Sequence, residues 1–452
     1  MFRSSYTLVD AVHVAFQELF GDATNPVPDW THVTKVDPEP DKRLPTLFPA
    51  YLAATDAVSV GGSRGVTVEH THATFEAISV APVPAFHEPS AASHVTRETR
   101  SAATFLTLPE VLNGDSEALV GRLGAGVAGL HDDQVPGVVR EALPDAVANR
   151  LLGTAAGERL VDLLTGWLVR QAVSEAYVVQ NPDSAAAREA GVTADDVLTP
   201  TAARERALAA EHRLGSEIVY LEYSGTFGGE AAETTLGELA DVTQWARVWY
   251  GGGVRSRAAA ERVLDAGADT VVVGDVFHDV ASEETRLAKT YRETVGDPSP
   301  AAIRSWVRDR VDETTAAAYL STVPSVADPT ARATTLLTAT LVCRLWLAAA
   351  AGAWAPATAP PDPWTVPAFA DQFADGAERY ARRCRRALVV SDADSTRTPP
   401  ASDADSTRMP PASDADSTRT PLASDADSTR TPLASDADDE QALAVSLPPV
   451  ER

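Results

Sequence analysis

The segment EIVYLEYSGTFGG, residues 217–229, carries the clearest fold signal in this 452-residue chain. It begins as an apolar, β-rich run and ends in a loop with three glycines. Two similar segments follow, each after a helix-like run: RVWYGGG (247–253) and DTVVVGD (269–275). Strand-like and helix-like runs that alternate in this way are typical of βα units and predict a parallel sheet.

Five upstream runs extend the pattern to eight strands. They are THVTKVD (31–37), DAVSVGG (56–62), PVPAFHE (82–88), ATFLTLP (103–109) and EAYVVQN (175–181). Eight parallel strands close a TIM (βα)8 barrel, so we predict an α/β fold of that type. More than 60 residues separate the fourth and fifth strands, which predicts an insertion of two or three helices near 129–172.

The predicted barrel occupies residues 30–296 and leaves three flanking segments. Residues 1–29 are an N-terminal extension, and the Ala-rich segment 297–386 is predicted to be a helical appendage. Beyond it, SDADSTRTPPA recurs with an 11-residue period from Ser391, without aromatic residues. We therefore predict that residues 387–452 are a disordered tail of acidic repeats.

The charge balance is strongly acidic. Acidic residues number 64 and basic residues 38, for a net charge of −26, and only three of the basic residues are lysines. Such a chain repels a phosphate backbone, so we expect no nucleic-acid partner. The composition fits a salt-rich cytoplasm of haloarchaeal type, and a GC-rich genome that favours Arg and Ala explains it equally.

The chain is expected to be cytoplasmic. Its two cysteines, Cys343 and Cys384, are too few for a disulfide framework. The N-terminus carries an acidic residue inside its apolar part, which argues against a signal peptide. The apolar stretch 334–354 is interrupted by Arg344, which predicts a buried helix rather than a membrane span.

Glycines end four of the eight predicted strands, at the end of the barrel where active sites form. Three of these loops, at 224–229, 251–253 and 274–275, follow consecutive strands. Exposed N–H groups with helices starting behind them predict a phosphate-binding cradle. Tight βα turns that require glycine are the alternative explanation.

Lys35 and Asp37 end the first strand on one face. We expect Lys35 to neutralise a phosphate, and Asp37 to hold Mg²⁺ together with Ser63, with water and phosphate oxygens completing the shell. A structural ion pair between Lys35 and another rim residue is the alternative.

Tyr220, Glu222 and Ser224 share one face of the sixth strand in the same way. Glu222 could accept hydrogen bonds from a polyol or take a hydroxyl proton, and the sequence leaves both roles open. A purely structural Glu222 would need an Arg nearby, because a buried carboxylate without a partner is costly.

Other patterns carry less information. His70 and His72 would diverge on a helix, so we do not expect them to form a metal site. The chain has no GxSxG motif, no P-loop and no GxGxxG after a strand.

Six segments together resemble the geranylgeranylglyceryl phosphate synthase family, which includes the bacterial heptaprenylglyceryl phosphate synthases. In order, from about Trp30 to about Thr294, they are WTHVTKVDP, TDAVSVGGS, YVVQNPDS, YLEYSGTFGG, WYGGGVRS and ADTVVVGDVFHD. The resemblance implies a modified TIM barrel and a Mg²⁺-dependent prenyltransferase. That enzyme would join sn-glycerol 1-phosphate to a polyprenyl diphosphate, such as geranylgeranyl diphosphate, and form the first ether bond of archaeal membrane lipids.

The resemblance also implies roles for individual residues. Lys35 would contact the glycerol phosphate, Asp37 and Ser63 would bind Mg²⁺, and Glu222 and Lys35 are the catalytic candidates. The glycerol and its phosphate would lie against Tyr220, Leu221, Glu222, Tyr223, Ser224 and Gly225, with Gly253, Gly274 and Asp275 completing the cradle. Position 275 is often Asn in this family, and VDPEPDK is longer than the usual DPDK, so Lys42 is left unassigned.

A different function stays open beside the enzyme. A degenerate phosphate-binding barrel paralogue could act as an interaction protein, and the long insertion and Asp275 favour it. The intact Lys35, Asp37, Ser63 and Glu222 argue against it, and a sugar-phosphate isomerase does not account for YLEYSG. Prenyl chain length, homo-oligomer formation and peripheral membrane contact are not fixed by the sequence.

Overall fold

The computed structural model describes residues 24–62 and 64–363. Ser63, residues 1–23 of the predicted extension, the last part of the predicted appendage and the whole predicted tail lie outside the described residues. Eight parallel strands form one sheet: β1 (His32–Val36), β2 (Ala57–Val60), β3 (Ala85–His87), β4 (Thr107–Val111), β5 (Val173–Val179), β6 (Ile218–Tyr223), β7 (Arg247–Gly252) and β8 (Thr270–Val273).

The sheet curls into a nearly closed barrel. Its strand order is β3-β2-β1-β8-β7-β6-β5-β4, and a single bridge between His87 and Leu106 joins the two outer strands. The predicted α/β TIM-barrel fold is therefore confirmed, and each of the eight predicted strands corresponds to an observed one.

Fifteen α-helices occur within the described residues. They are α1 (Phe48–Leu52), α2 (Val68–Ile78), α3 (Arg97–Ala102), α4 (Arg122–Gly129), α5 (Val135–Ala142), α6 (Asp145–Leu152), α7 (Ala155–Val169), α8 (Ala185–Ala190), α9 (Pro200–Ala209), α10 (Gly229–Ala240), α11 (Arg257–Asp265), α12 (Asp275–Thr294), α13 (Pro300–Arg308), α14 (Thr315–Thr322) and α15 (Pro329–Ala350). Short 3₁₀ turns lie at Ala92–His94, Ala194–Asp196 and Val311–Glu313, and π-helical turns at Glu117–Gly121, Leu130–Gln134 and Ala210–Leu214.

Side chains that alternate in direction along each strand form two separate apolar layers. Side chains such as Val33, Tyr220 and Trp249 fill the barrel interior in one buried cluster. Their neighbours, such as Leu221 and Tyr250, face the surrounding helices in a second cluster. Since successive strand residues point to opposite faces, this division fixes which residues can reach the mouth of the barrel.

Four helices, α4 to α7, fill the connection between β4 and β5. A single helix suffices for an ordinary βα crossover. This side of the barrel therefore has three more helices than the connection needs. The helix α3 that precedes β4 has only six residues.

The helices after the barrel pack against its outer wall. The hydroxyl of Tyr319 on α14 lies 2.8 Å from Thr34 Oγ1 of β1, and His32 Nε2 lies 3.1 Å from Thr322 Oγ1. The guanidinium of Arg332 on α15 donates to the carbonyl of Ala50 at 2.8 Å. Because α1 has only five residues, α14 supplies part of the layer that covers β1, and α15 packs beside α1.

Among the described residues, α15 alone is long and apolar enough to cross a membrane. Its most apolar 18-residue window is 78% buried inside the protein. Its polar residues include Arg344, which pairs with the buried Glu284 of α12 at 3.2 Å. The helix is thus packed as a core element, in the region where the sequence predicts a buried helix.

Candidate active site

The first strand places Lys35 in the barrel mouth, and its ammonium group contacts Glu88 just after β3. Lys35 Nζ lies 2.5 Å from Glu88 Oε1. Burial lowers the pKa of Lys35, but the neighbouring carboxylates, led by Glu88, outweigh it and the net pKa is raised. The alternative of a structural ion pair for Lys35 therefore has a concrete partner, which is Glu88 rather than Asp37.

Glu88 is a site residue that the sequence reasoning missed. Its other carboxylate oxygen accepts from Ser59 Oγ at 2.6 Å, and Oε1 also accepts from the hydroxyl of Tyr177. Burial opposes ionisation, yet Lys35 and these hydrogen bonds lower the pKa of Glu88. The available signal was its place as the last residue of the predicted third strand, where a carboxylate would face the mouth.

Asp37 follows β1 and is held by its backbone. Its N–H donates to Nε2 of His278 at 3.0 Å, and Nδ1 of that ring contacts the carbonyl of Arg43 at 2.9 Å. Burial lowers the pKa of His278 to about 4, so the ring is neutral with its proton on Nδ1. Burial also raises the pKa of Asp37 to about 7, against the effect of Lys35 and Lys42.

Lys42, which sequence reasoning left unassigned, lies at the same rim. Its ammonium group contacts Asp275 Oδ1 at 2.7 Å and lies 3.8 Å from Asp37 Oδ2. Asp275 is the first residue of α12, so Lys42 joins the loop after β1 to the start of that helix. A carboxylate at position 275 is unusual beside a phosphate-binding cradle. The positive charge of Lys42 offsets the negative charge of Asp275.

The sixth strand brings Tyr220, Glu222 and Ser224 to the mouth, as their spacing predicts. Glu222 is buried, and its Oε1 accepts from the N–H of Ser224 at 2.8 Å. Burial and the nearby Glu222 raise the pKa of Tyr220. Burial raises the pKa of Glu222. The carbonyl of Ser224 accepts from Asn181 Nδ2 at 2.6 Å, and Tyr177 stacks on Tyr220 at a centroid distance of 4.4 Å.

Leu221 and Tyr223 are not brought to the mouth by their side chains. Both belong to the cluster between the barrel and its helices, while their strand neighbours line the cavity. Any contact of these two residues with a ligand in the mouth would involve the backbone. This follows from strand alternation.

The glycines after β6 and β7 allow close packing as well as exposed N–H groups. A Cβ on Gly251 would lie 1.9 Å from the hydroxyl of Tyr220, and one on Gly253 would lie 3.0 Å from the carbonyl carbon of Thr226. Gly225 has φ +81°, which an L side chain rarely adopts. The tight-turn explanation therefore holds for part of this glycine set.

The start of α12 is an uncapped helix N-terminus at the mouth, as is the start of α10. No side chain caps α12, whereas α11 is capped by Ser256, which accepts from the N–H of Ala259. Gly274 precedes α12, and a Cβ there would lie 3.4 Å from Cβ of Lys35. First-turn N–H groups and the helix dipole both favour an anion at this position.

These residues line one end of a cavity of about 1660 Å³. Its polar end includes Lys35, Asp37, Lys42, Glu222, Gly274 and Asp275. A largely apolar arm extends from there along β4 to helices α4, α5 and α7, with lining side chains that include Phe105, Leu106, Leu108, Leu123, Val127 and Leu168. The charged and polar side chains of Arg97, Arg100, Glu110, Gln134, Glu141 and Gln171 also line the cavity.

The arm passes around the weakly paired edge of the barrel. Phe105 and Leu106 lie just before β4 and Leu108 lies within it, and all three line the same cavity. The single bridge between β3 and β4 and the short α3 leave room for this path.

Metal binding by the described residues rests on Asp37. No group of three or more His, Cys, Asp or Glu side chains in the described part of the chain is arranged to hold a metal ion. Ser63, the second predicted ligand, lies outside the described residues. His70 is the third residue of α2, and His72 on the same helix is exposed.

A protein-family model described as the PcrB family matches residues 25–294, more than half of the chain. The chain belongs to the PcrB family. The family predicted from the six segments is thus confirmed, and the matched range runs through the whole β4–β5 connection. It ends before α13.

Named relatives agree with this assignment. The geranylgeranylglyceryl phosphate synthase of Halobacterium salinarum is 33% identical over 267 residues, which is 58% of this chain and 94% of that relative. The heptaprenylglyceryl phosphate synthase of Bacillus thuringiensis is 30% identical over 267 residues, which is 58% of this chain and 96% of that relative. This chain is accordingly a prenyltransferase of that family.

A solved structure of the same kind is also similar. It is the (S)-3-O-geranylgeranylglyceryl phosphate synthase of Thermoplasma acidophilum in complex with its substrate sn-glycerol-1-phosphate. The two chains are 20% identical, the match covers 61% of this chain and 92% of that one, and the TM-score is 0.40.

Proposed function

We propose that this chain joins sn-glycerol 1-phosphate to geranylgeranyl diphosphate in a Mg²⁺-dependent reaction that releases diphosphate. The observation that carries the proposal is the two-part cavity. Its polar end combines the carboxylates of Asp37, Glu222 and Asp275 with two lysines and an uncapped helix start, and its apolar arm continues from that end. One substrate of this pair is a small phosphorylated polyol, and the other has a charged head and a long apolar tail.

The polar end is suited to the glycerol phosphate. The N–H groups at the start of α12 and the loops after β6 and β7 supply donors for the phosphate. Glu222 and Tyr220 lie beside them, where they can bind the glycerol hydroxyls. No Arg is paired with Glu222 in the described residues; its carboxylate accepts from the Ser224 N–H and is influenced by the charge of Lys35.

Glu222 is positioned to take the proton of the attacking hydroxyl. A buried carboxylate with a raised pKa is a better proton acceptor than a solvated one. The glycerol oxygen would then attack the allylic carbon, the C–O bond to diphosphate would break, and the proton would remain on Glu222. Holding the hydroxyl against that carbon inside a closed cavity reduces the entropic barrier.

The donor set of Asp37 fits Mg²⁺. This ion takes oxygen ligands and commonly binds through one or two carboxylates together with substrate phosphates and water. Asp37 offers its carboxylate at the edge of the polar end, 15% exposed, and Ser63 is proposed as its companion ligand. When bound, the ion would neutralise charge on the leaving diphosphate.

The apolar arm is proposed to hold the prenyl tail. Its lining along β4 and helices α4, α5 and α7 includes many aliphatic and aromatic side chains, against which the tail would leave water. We also propose a cytoplasmic location, which the low cysteine content supports, and a salt-rich cell interior, which the net charge of −26 supports. We further propose that the chain forms a homo-oligomer and contacts the membrane surface peripherally.

A direct assay tests the reaction. The full chain is incubated in high salt with Mg²⁺, sn-glycerol 1-phosphate and labelled prenyl diphosphates of several lengths, and the ether product is measured. We expect product with geranylgeranyl diphosphate; no product with any prenyl length would refute the proposed reaction.

Two changes test the parts of the proposal. Chelation of divalent ions should abolish product, and Asp37→Ala should remove most of it, while the matched change Asp41→Ala in the same loop should have little effect. An unchanged rate for Asp37→Ala would show that the metal assignment is wrong.

A further inference from the structure

Both lysines at the polar end of the cavity already have a carboxylate partner. Lys35 Nζ lies 2.5 Å from Glu88, and Lys42 Nζ lies 2.7 Å from Asp275. Each ammonium group has three N–H donors, so a phosphate that enters this end competes with the carboxylates for the two lysines. It gains most from the ammonium group that can move away from its carboxylate. The surroundings of the two pairs decide which one can do so.

The pair formed by Lys35 is poorly suited to exchange. Glu88 is 7% exposed, and its carboxylate is fixed by Ser59 and Tyr177 as well as by Lys35. Removing the ammonium group would leave a buried carboxylate without its counter-charge, which is strongly unfavourable. Lys35 is therefore a fixed cation beneath the phosphate position.

The pair formed by Lys42 can exchange at low cost. The Asp275 side chain is 62% exposed, so water can solvate its carboxylate as soon as Lys42 leaves. Ion pairs with an exposed member contribute little to stability. Lysine carries its charge on a flexible four-carbon stem, so the ammonium group can shift over a short distance without moving the backbone.

Lys42 also lies where an anion is favoured. Its partner Asp275 is the first residue of α12, whose first turn has no side-chain cap. Gly274, Asp275 and Val276 line the cavity at this point. The carboxylate of Asp275 thus occupies the neighbourhood of the phosphate position while the substrate is absent.

We propose that Lys42 binds the substrate phosphate, and that Asp275 holds its ammonium group in place until the phosphate replaces it. The nature of the phosphate ester rests on the proposed function; the exchange itself requires only a phosphate at the start of α12. Asp275 then competes for Lys42 and repels the incoming anion, so it weakens phosphate binding while keeping the lysine oriented.

The test is isothermal titration calorimetry of the full chain at constant ionic strength. It measures the affinity for inorganic phosphate and, separately, for sn-glycerol 1-phosphate. Asp275→Asn removes the competing charge and keeps the side-chain shape, so we expect it to bind both anions about three- to tenfold more tightly. Lys42→Met should bind both about tenfold more weakly. Asp279→Asn is the matched control: it makes the same charge change one turn along α12, where the carboxylate pairs with Arg255 at 2.7 Å.

The sign of the Asp275→Asn effect separates this proposal from a structural one. If the Lys42–Asp275 pair only fastens the loop after β1 to α12, both variants should bind more weakly, and that result would overturn the proposal. If Asp279→Asn increases the affinity for the anions as much as Asp275→Asn does, the proposal is also overturned. The cause would then be the change in net charge and not the loss of a competitor for Lys42. If Lys42→Met does not fold, judged by its circular dichroism, the Asp275→Asn result decides alone.

The same titrations separate this inference from the proposed function. If the chain binds inorganic phosphate but not sn-glycerol 1-phosphate, the proposed substrate is wrong. The exchange between Lys42 and Asp275 can then still be tested with inorganic phosphate. Absence of binding of both anions to the unaltered chain would overturn both proposals.

Discussion

The change Arg344→Met tests how the helices after the barrel support the loop that carries Asp37 and Lys42. The guanidinium of Arg344 donates to Glu284 Oε2 at 3.2 Å and to the hydroxyl of Thr46 at 3.1 Å. Glu284 is fully buried and also accepts from the N–H and the hydroxyl of Thr46, at 2.8 and 2.6 Å. Methionine replaces the apolar stem of the arginine with an unbranched apolar side chain and removes the charged guanidinium group.

The expected loss of stability follows from the charge left behind. Breaking a buried ion pair by removing one partner costs about 3–5 kcal/mol. The two hydrogen bonds from Thr46 remain in the variant, so we place the loss at the lower end, about 3 kcal/mol. With an unfolding entropy of about 2.1 cal/mol/K per residue over the roughly 340 described residues, that lowers the melting temperature by about 4 °C.

The pH dependence has a definite sign. Burial raises the pKa of Glu284, against the effect of Arg344, and loss of Arg344 raises it further. With the folded pKa above the unfolded value of about 4.3, the unfolded chain releases the proton first as the pH rises. Unfolding therefore becomes easier with rising pH, so the deficit of Arg344→Met should be larger at pH 8 than at pH 5.

Thermal unfolding of the full chain, followed by circular dichroism at both pH values, measures these effects. The rescue variant Arg344→Met with Glu284→Gln removes the charge but keeps an acceptor for Thr46, and should recover most of the stability. Arg332→Met on the same helix, which loses only a bond to a backbone carbonyl, is the control. A deficit below about 1 kcal/mol for Arg344→Met, or no recovery with Glu284→Gln, would refute the reasoning.

Two further predictions concern the mouth of the barrel. Gly251→Ala forces a Cβ onto the hydroxyl of Tyr220, so we expect a loss of about 1–3 kcal/mol in unfolding experiments and at least about a tenfold fall in product formation. The control Gly237→Ala, whose Cβ would meet nothing nearer than 3.9 Å, should be neutral or stabilising; equal damage by both would exclude the Tyr220 contact as the cause. Glu222→Gln keeps the bond from the Ser224 N–H but cannot take a proton, so kcat should fall by about 100-fold or more with little change in KM for glycerol phosphate. A Glu222→Gln rate within about tenfold of the original would limit Glu222 to binding.

The sequence predicted well whatever depends on local patterns. Each βα unit has its own strand run and loop, so eight strands could be counted without knowing their order in space. Strand alternation likewise placed Tyr220 and Glu222 together, because residues two apart share a face whatever lies opposite. The same alternation predicts that the side chains of Leu221 and Tyr223 point away from the mouth. The family motif nevertheless includes both residues among those that bind the glycerol phosphate.

The partners of the charged residues could not be predicted in this way. Lys35 meets Glu88, 53 positions along the chain, and Lys42 meets Asp275, 233 positions away. These pairs exist only once the barrel closes and brings the ends of separate strands to one mouth. Counting charges showed that lysine is rare, but only the closed barrel shows that both lysines near the phosphate position have carboxylate partners.

The apolar arm of the cavity was beyond sequence reasoning for a different reason. A groove for a prenyl tail is lined by the same residue types, at the same helical spacing, as a core that packs helix against helix. Leu123 and Leu168 could belong to either. What distinguishes them is the barrel wall itself: β3 has three residues, α3 has six, and one bridge joins β3 to β4. With so little structure at that seam, the helices between β4 and β5 have no continuous wall to pack against, and the space they leave opens into the polar end of the cavity.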